Sequence, residues 1–202
     1  MSDEQKLLVS KYIPSHYAAL MHCDIVLKEG RIGTTSITSI DVHDIARSCA
    51  TYGLKNFFVV TPLKDQTLLI QKMLDFWKEK EIGGQYNKHR HEAVALVHLK
   101  KSLNEVIEQI EQKEGKRPII IGTSARLELN SSMLTYYQQN IIWKQDRPVL
   151  FLFGTGHGMS EILLSQCDYM LQPLNGFTQF NHLSVRCAAA IVFDKWLGVS
   201  LK

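Results

Sequence analysis

Apolar residues along this chain follow two alternating patterns, short continuous runs and longer stretches with a helical period. The short runs predict buried strands, because they are too apolar and too brief for amphipathic helices. They cover residues 17–23, 56–61, 93–99, 118–123, 149–153 and 168–171. The longer stretches predict helices at 63–80, 103–114, 159–164 and 183–197, and in part of 127–143. This alternation predicts an α/β fold with a mostly parallel sheet and helices on both faces.

One further helix is predicted after the first strand, and its sequence also suggests where it begins and ends. Its apolar stripe has i, i+3, i+4, i+7 spacing and consists of Val42, Ile45, Ala46 and Cys49. Ser39 or Asp41 is the expected N-cap, and Gly53 is the expected residue just beyond the last turn. Residues 28–30 before this helix predict a turn.

Length and composition favour one ordinary globular domain. The 202 residues predict a single domain over 1–202, with residues 1–15 as a flexible tail. A hydrophobic fraction of 45% and a charged fraction of 21% are typical of soluble proteins. The net charge of +3 is compatible with a polyanionic partner without requiring one. No apolar run is long enough for a membrane span, so no membrane partner is expected.

The four cysteines are scattered, at positions 23, 49, 167 and 187. Without a C-x-x-C pair they indicate neither a zinc site nor a disulfide framework, and no metal is expected. A cytoplasmic location is the expected one.

The strand at 149–153 runs directly into a loop with Gly154, Gly156 and Gly158. Glycines at alternate positions allow a ligand to touch the backbone closely, and parallel sheets bind ligands at the carboxyl ends of their strands. The loop lacks the G-x-G-x-x-G spacing of dinucleotide sites and the Lys-Ser/Thr ending of a P-loop. If the glycines admit a ligand, valine at 154 or 156 is expected to abolish binding without unfolding the chain.

Two more strand ends carry loop chemistry in the same order along the chain. Residues 122–126 read Gly-Thr-Ser-Ala-Arg, and 172–176 read Gln-Pro-Leu-Asn-Gly. An Asn-His-Leu-Ser-Val-Arg segment at 181–186 then leads into an alanine-rich helix. Together with the glycine loop, this series resembles the SPOUT RNA methyltransferases, a family with a C-terminal trefoil knot. The nearest resemblance is to a bacterial subgroup of S-adenosylmethionine-dependent enzymes, some joined to a tRNA guanine-N1 methyltransferase.

The resemblance implies the SPOUT α/β-knot fold, a homodimer, an RNA substrate (tRNA or rRNA) and S-adenosyl-L-methionine as cofactor. The cofactor-binding residues that it implies are Thr123, Ser124, Gly154, Thr155, Gly156, Gly158, Leu171, Leu174, Asn181, Leu183 and Ser184. The implied catalytic residues are Arg47, His157 and His182, and the implied substrate contacts are Arg47, Arg126 and Arg186. Either a base or a ribose 2′-hydroxyl remains open as the methylated group.

Each of these residue types also has an ordinary structural explanation. Arg47 is either a substrate-activating guanidinium, since it occupies the place of the ribose-methylating branch's arginine, or a solvated residue. The loop histidines serve either as base or RNA contact, or only bond to backbone. Asp41, His43 and Asp44 suggest an acid–base or metal cluster, but first-turn helix carboxylates explain the aspartates better. Ser184 is either a carboxylate-binding residue or a plain N-cap.

A compact basic run at 88–91 lies beside Tyr86 in a predicted loop, where it either contacts RNA or is merely solvated. Trp77, Trp143 and Trp196 lie on apolar helix faces and are expected in the core or a dimer interface.

Three functions follow from these residues. An RNA methyltransferase is favoured over a non-catalytic knotted RNA-binding and dimerisation module that keeps the cofactor. A nucleotide-binding regulator is the third alternative.

Overall fold

The computed structural model describes residues 13–79, 88–126 and 132–199, and these form an α/β fold around one large sheet. Within these residues the sheet has seven strands, namely β1 (His16–Met21), β4 (Asn56–Val60), β5 (Val97–Lys100), β6 (Ile119–Gly122), β7 (Met133–Leu134), β8 (Val149–Gly154) and β9 (Tyr169–Leu171). Their order is β5-β4-β1-β8-β6-β9-β7, and neighbouring strands pair in parallel. Two further strands, β2 (Ile25–Val26) and β3 (Ile32–Gly33), pair only with each other.

Helices cover both faces of this sheet. They are α1 (Ser39–Thr51), α2 (Lys64–Lys78), α3 (Lys88–Val94), α4 (Leu103–Glu114), α5 (Gln139–Trp143), α6 (Glu161–Leu164) and α7 (Val185–Leu197). A short 3-10 turn lies at Lys28–Gly30. In the part of the chain that the structure describes, no helix is long and apolar enough to cross a membrane.

Successive residues of a strand face opposite sides of the sheet, so the core consists of two clusters, one on each side. Ala18 and Leu20 of β1 pack with α1 and α7, whereas Tyr17, Ala19 and Met21 pack with α4 and α6 on the opposite face. Strands buried on both faces read as continuous apolar runs, which is the pattern expected of a parallel sheet. The predicted mostly parallel sheet with helices on both faces is therefore confirmed.

Most predicted elements are present with ends shifted by one or two residues. The helix at 103–114 has the predicted bounds, and the stripe of α1 is buried as expected. The strand predicted at 93–99 begins only at Val97, because Ala93 and Val94 complete α3. The N-cap of α1 is Thr38, whose hydroxyl accepts the N–H of Asp41, so neither Ser39 nor Asp41 is the cap.

Several short elements were not predicted from the sequence. The β2–β3 hairpin and the strand β7 have only two residues each, too few for a periodic signal. In the stretch 127–143 the described helix is α5 alone, and residues 127–131 lie outside the described part. The predicted tail at 1–15 stays a prediction, since 1–12 also lie outside it.

The basic run 88–91 forms α3 and not the predicted loop. The Arg90 guanidinium lies 4.5 Å from the centre of the Trp77 ring, and the His91 ring donates to the Trp77 carbonyl at 2.8 Å. Two of the four basic side chains are therefore tied to α2. Of the tryptophans, Trp196 is buried in the core and Trp77 and Trp143 pack against it, while Tyr86 lies outside the described residues.

His16 is a buried polar residue whose two ring nitrogens both have partners. Its Nδ1 donates to the Pro14 carbonyl at 2.7 Å, and its Nε2 accepts from the Trp196 indole N–H at 3.2 Å. Its ring also stacks on Phe151, with 5.9 Å between ring centres. Burial lowers the pKa of His16 to about 4, so the neutral form is the one that the fold holds.

We expect the free energy of unfolding to fall as the pH decreases from 7 to 5. Between pH 6.5 and about pH 4, His16 is protonated in the unfolded chain but neutral in the folded chain. The contribution of neutral His16 to the free energy of unfolding is therefore fully present above pH 6.5 and is lost as the pH falls below that value. For His16 alone this amounts to about 2 kcal/mol between these pH values. Urea unfolding at both pH values measures it.

The variant His16→Gln removes this proton uptake, so its pH dependence is expected to be weaker than that of the wild-type chain. His157→Gln, at an exposed position, is the matched control. An equal pH dependence for His16→Gln and the wild-type chain would contradict the assignment.

Candidate functional site

A cavity of about 890 Å³ opens at the carboxyl ends of β6, β8 and β9. Three loops converge on it: 123–126 after β6, 155–159 after β8, and 172–184 after β9. They meet because β8 and β9 pair with opposite edges of β6, and parallel strands bring their carboxyl ends to one side of a sheet. The three loops singled out in the sequence thus form one site.

Most of the predicted site residues line this cavity. They are Thr123, Ser124, Arg126, Gly154, Thr155, Gly156, His157, Gly158, Leu174, Asn181, His182, Leu183, Ser184 and Arg186. Arg47 and Leu171 do not line it. Arg47 is exposed on α1, and Leu171 is buried in the core beside β7. The side chains of His157 and His182 are both exposed at the cavity.

The glycine loop is tightly packed against its own protein. A Cβ at Gly156 would lie 3.1 Å from Ile25 Cγ2 and 3.2 Å from Thr35 Cγ2, and its φ is +57°. A Cβ at Gly154 would lie 2.8 Å from Met159 Cγ. These distances argue against the expectation that valine at these positions leaves the fold intact, since each glycine is closely packed against the protein itself.

Residues 21–35 hold the glycine loop in place. The Val26 N–H donates to the Gly158 carbonyl at 2.9 Å, and the His157 N–H donates to the Val26 carbonyl at 3.1 Å. The Thr155 hydroxyl donates to the Met21 carbonyl at 3.0 Å and lies 2.5 Å from the Thr35 hydroxyl. The β2–β3 hairpin and the residues on either side of it therefore set the position of this cavity wall.

The segment 172–184 carries the chain from β9 across the cavity to α7. The Asn181 side-chain amide donates to the Ala125 carbonyl at 2.9 Å, which links this segment to the loop after β6. At its end the Ser184 hydroxyl accepts the N–H of Cys187, so Ser184 is the N-cap of α7. Gly176 lies in open space and away from the lining residues.

Arg186 joins α7 to α1 across the cavity mouth. Its guanidinium lies 3.2 Å from a carboxylate oxygen of Asp41 and 3.4 Å from one of Asp44. Asp41 lines the cavity and also accepts the Thr38 hydroxyl in the first turn of α1. His43 instead packs edge-on against Trp77. The cluster suggested for Asp41, His43 and Asp44 is therefore not formed. The described residues contain no group of three or more His, Cys, Asp or Glu that could hold a metal ion.

Some lining residues were not predicted from the sequence to belong to this site. Thr35, Asp41 and Tyr136 reach the cavity from outside the three loops. Burial raises the pKa of the Tyr136 phenol to about 12, so it stays neutral in the cavity wall. The Thr-rich segment before α1 was visible as a pattern, but nothing in its spacing pointed to a loop some 120 residues later.

The arrangement suits a nucleoside-sized cofactor. The volume lies within the roughly 300–1,000 Å³ typical of small-molecule sites. Phe153, Leu174 and Val192 supply apolar wall, and Thr123 and Ser184 supply hydroxyls. The first turn of α7 also lines the cavity, and the N-terminal end of a helix favours a carboxylate.

The fold of this chain is shared with a solved methyltransferase of the SpoU type. The SpoU methyltransferase AviRb of Streptomyces viridochromogenes, solved in complex with the cofactor AdoMet, superposes with a TM-score of 0.55 at 15% identity. The alignment covers 91% of this chain and 57% of AviRb. The predicted SPOUT α/β-knot fold is thereby confirmed.

The sequence relatives identify the family more closely. The family model described as SAM-dependent RNA methyltransferase matches residues 15–198. An uncharacterized protein of Aquifex aeolicus (strain VF5) is 41% identical over 89% of this chain and 86% of its own length. A tRNA (guanine-N(1)-)-methyltransferase of Nitratidesulfovibrio vulgaris is 42% identical over 90% of this chain, which spans 42% of that relative. This chain belongs to the S-adenosylmethionine-dependent RNA methyltransferase family, as its resemblance predicted.

We expect Gly156→Ala to destabilise the fold by about 1–2 kcal/mol, because an L-residue is strained at this positive φ and its Cβ meets Ile25 and Thr35. Gly176→Ala is the matched control, since its Cβ meets nothing and its φ is not positive. Urea unfolding of the two variants measures the difference. Equal stability would show that the loop does not need glycine at 156.

Proposed function

We propose that this chain transfers the methyl group of S-adenosylmethionine to a nucleotide of tRNA or rRNA, with the cofactor bound in the 890 Å³ cavity. The observation that carries the proposal is the convergence of three separate loops on that one cavity. Family membership supports the cofactor and an RNA substrate. The name of one relative suggests tRNA, but that relative is more than twice as long as the matched region.

S-adenosylmethionine supplies an activated methyl group, and its departing thioether is neutral. The chain's own residues therefore need to align the nucleotide and take up a proton from the accepting atom. His157 and His182 are exposed at the cavity and serve in this proposal as the base or as an RNA contact. A base nitrogen and a ribose 2′-hydroxyl are both suitable acceptors.

Positive side chains in this proposal hold the RNA. Arg126 is exposed at the cavity edge, where it is available to phosphate. Arg186 is engaged by two aspartates, so its contribution to RNA binding requires that this pairing open or be shared. The ion pairs of Arg186 with these aspartates join α7 to α1.

The decisive experiment compares modified nucleosides in total RNA from cells with and without this gene, by mass spectrometry. A methylated nucleoside that disappears identifies the product. Binding of S-adenosylmethionine without any lost modification and without methyl transfer in vitro would favour a non-catalytic module.

We also propose a cytoplasmic homodimer. The described cysteines are all free thiols, which agrees with a reducing compartment. The apolar stripes of α1 and α7 are not available to a partner at Cys49 and Trp196, because both residues are buried in the monomer core. Better candidates are the exposed apolar side chains near the starts of α1 and α7, namely Ile40, Phe177, Phe180 and Leu183.

A dilution series by analytical ultracentrifugation is expected to show a dimer at micromolar concentration. Phe180→Asp is expected to raise the dissociation constant, because it places a charge in a desolvated contact. Leu69→Asp, the same charge change at an exposed apolar position of α2, is the control. A wild-type monomer at micromolar concentration would refute the proposal.

Arg47→Ala is expected to leave cofactor affinity within a few fold while methyl transfer falls on the order of 100-fold. The reason is that Arg47 lies outside the cavity lining but on the helix that presents Asp41 to it. Arg47→Lys is expected to rescue little, since a point charge cannot reproduce bidentate geometry. Single-turnover transfer and cofactor binding are measured in parallel. Wild-type transfer by Arg47→Ala would leave it a solvated surface residue.

A further inference from the structure

His22 follows β1 directly and is buried, with 1% of its surface exposed. It lies behind the glycine loop and does not line the cavity. A series of side-chain contacts connects the two: His22 Nδ1 is 3.1 Å from the Thr35 hydroxyl, and that hydroxyl is 2.5 Å from the Thr155 hydroxyl. Thr155 and Thr35 both line the cavity. A buried imidazole thus contacts the wall of the site through two hydroxyl groups.

The direction of each hydrogen bond in this series follows from the number of protons available. The Met21 carbonyl can only accept, so Thr155 donates its single hydroxyl proton there, at 3.0 Å. Thr35 must then donate its own proton to Thr155. Because that proton is used, the His22 Nδ1–H has to donate to Thr35. The alternative contact from Thr35 to the His22 carbonyl is 3.5 Å long and correspondingly weak.

The other ring nitrogen of His22 is not accounted for by the fold. Nε2 is buried and has no hydrogen-bond partner among the described residues. Burial lowers the pKa of His22 to about 4, with the Asp41 carboxylate opposing that shift, so Nε2 is a bare lone pair near neutral pH. His16, in contrast, has partners at both nitrogens. Only the Nδ1 side of His22 therefore has a visible role.

We propose that His22 is a positioning residue for cofactor binding: its Nδ1–H orients the Thr35 hydroxyl, which in turn sets Thr155 and the glycine loop. This inference rests on the proposed function, since it takes the cavity as the S-adenosylmethionine site. His22 touches neither cofactor nor RNA in this account. Its effect is to hold the loop, anchored also at Met21, in the conformation that binds.

Two amide variants separate the ring nitrogens. Asparagine places its side-chain N–H near the position of Nδ1, whereas glutamine places its amide near Nε2. Binding of S-adenosylmethionine to the full chain, measured by calorimetry, is expected to stay within about threefold for His22→Asn. It is expected to weaken on the order of tenfold for His22→Gln.

Thr35→Ser and Thr35→Val repeat the test one step further along the series. The serine variant keeps the hydroxyl and is expected to bind within about threefold of wild type, and the valine variant is expected to weaken binding on the order of tenfold. The thermal midpoint without cofactor is measured for all four variants. A purely structural role would lower that midpoint while leaving the affinity of the folded chain unchanged.

The possible failures are distinguishable. If the wild-type chain binds S-adenosylmethionine and His22→Gln and Thr35→Val bind it equally well, the inference about His22 is overturned and the proposed function stands. The same holds if His22→Gln binds normally and His22→Asn does not, because Nε2 would then be the important atom. A wild-type chain that binds no S-adenosylmethionine overturns the proposed function and this inference with it.

Discussion

The parallel pairing of β1 with β8 is the constraint on which the site depends. Its register places Met21 opposite Gly154, so the end of the first strand lies beside the start of the glycine loop. The loop is held by the carbonyl of Met21, the last residue of β1, and by Val26 and Thr35, which follow that strand. A change of one residue in this register would invert the faces of β8 and remove these contacts.

Because of this pairing, both halves of the chain contribute to the cavity. β8 lies between β1 and β6, so the first half supplies one neighbour and the second half the other. On the surface above, Arg186 of the last helix bonds to Asp41 and Asp44 of the first. Replacing residues of the three cavity loops one at a time therefore tests fold and binding together, which is why matched controls matter at the glycines.

Elements with a long periodic signal could be predicted from sequence, and very short ones could not. The stripe of α1 and the bounds of α4 agree with the structure, because 12 or 13 residues give several helical repeats. The hairpin β2–β3 and the strand β7 have two residues each and depend on their partners for hydrogen bonds. The mistaken strand start at 93 has a similar cause, since Ala93 and Val94 are apolar in either a helix or a strand.

The sequence by itself determined the α/β alternation, the three loops at strand ends and the family, because a local residue pattern or a short motif is enough to indicate each of them. Most of the predicted cofactor residues, Gly154 and Asn181 among them, do meet in one cavity. Only the tertiary structure decided that Gly156 is packed against Ile25 and Thr35, that Arg186 is paired, and that His22 stands behind the loop. The first two facts, and the Thr35–Thr155 contact that connects His22 to the loop, involve residues more than 100 positions apart, and no local pattern encodes such a contact.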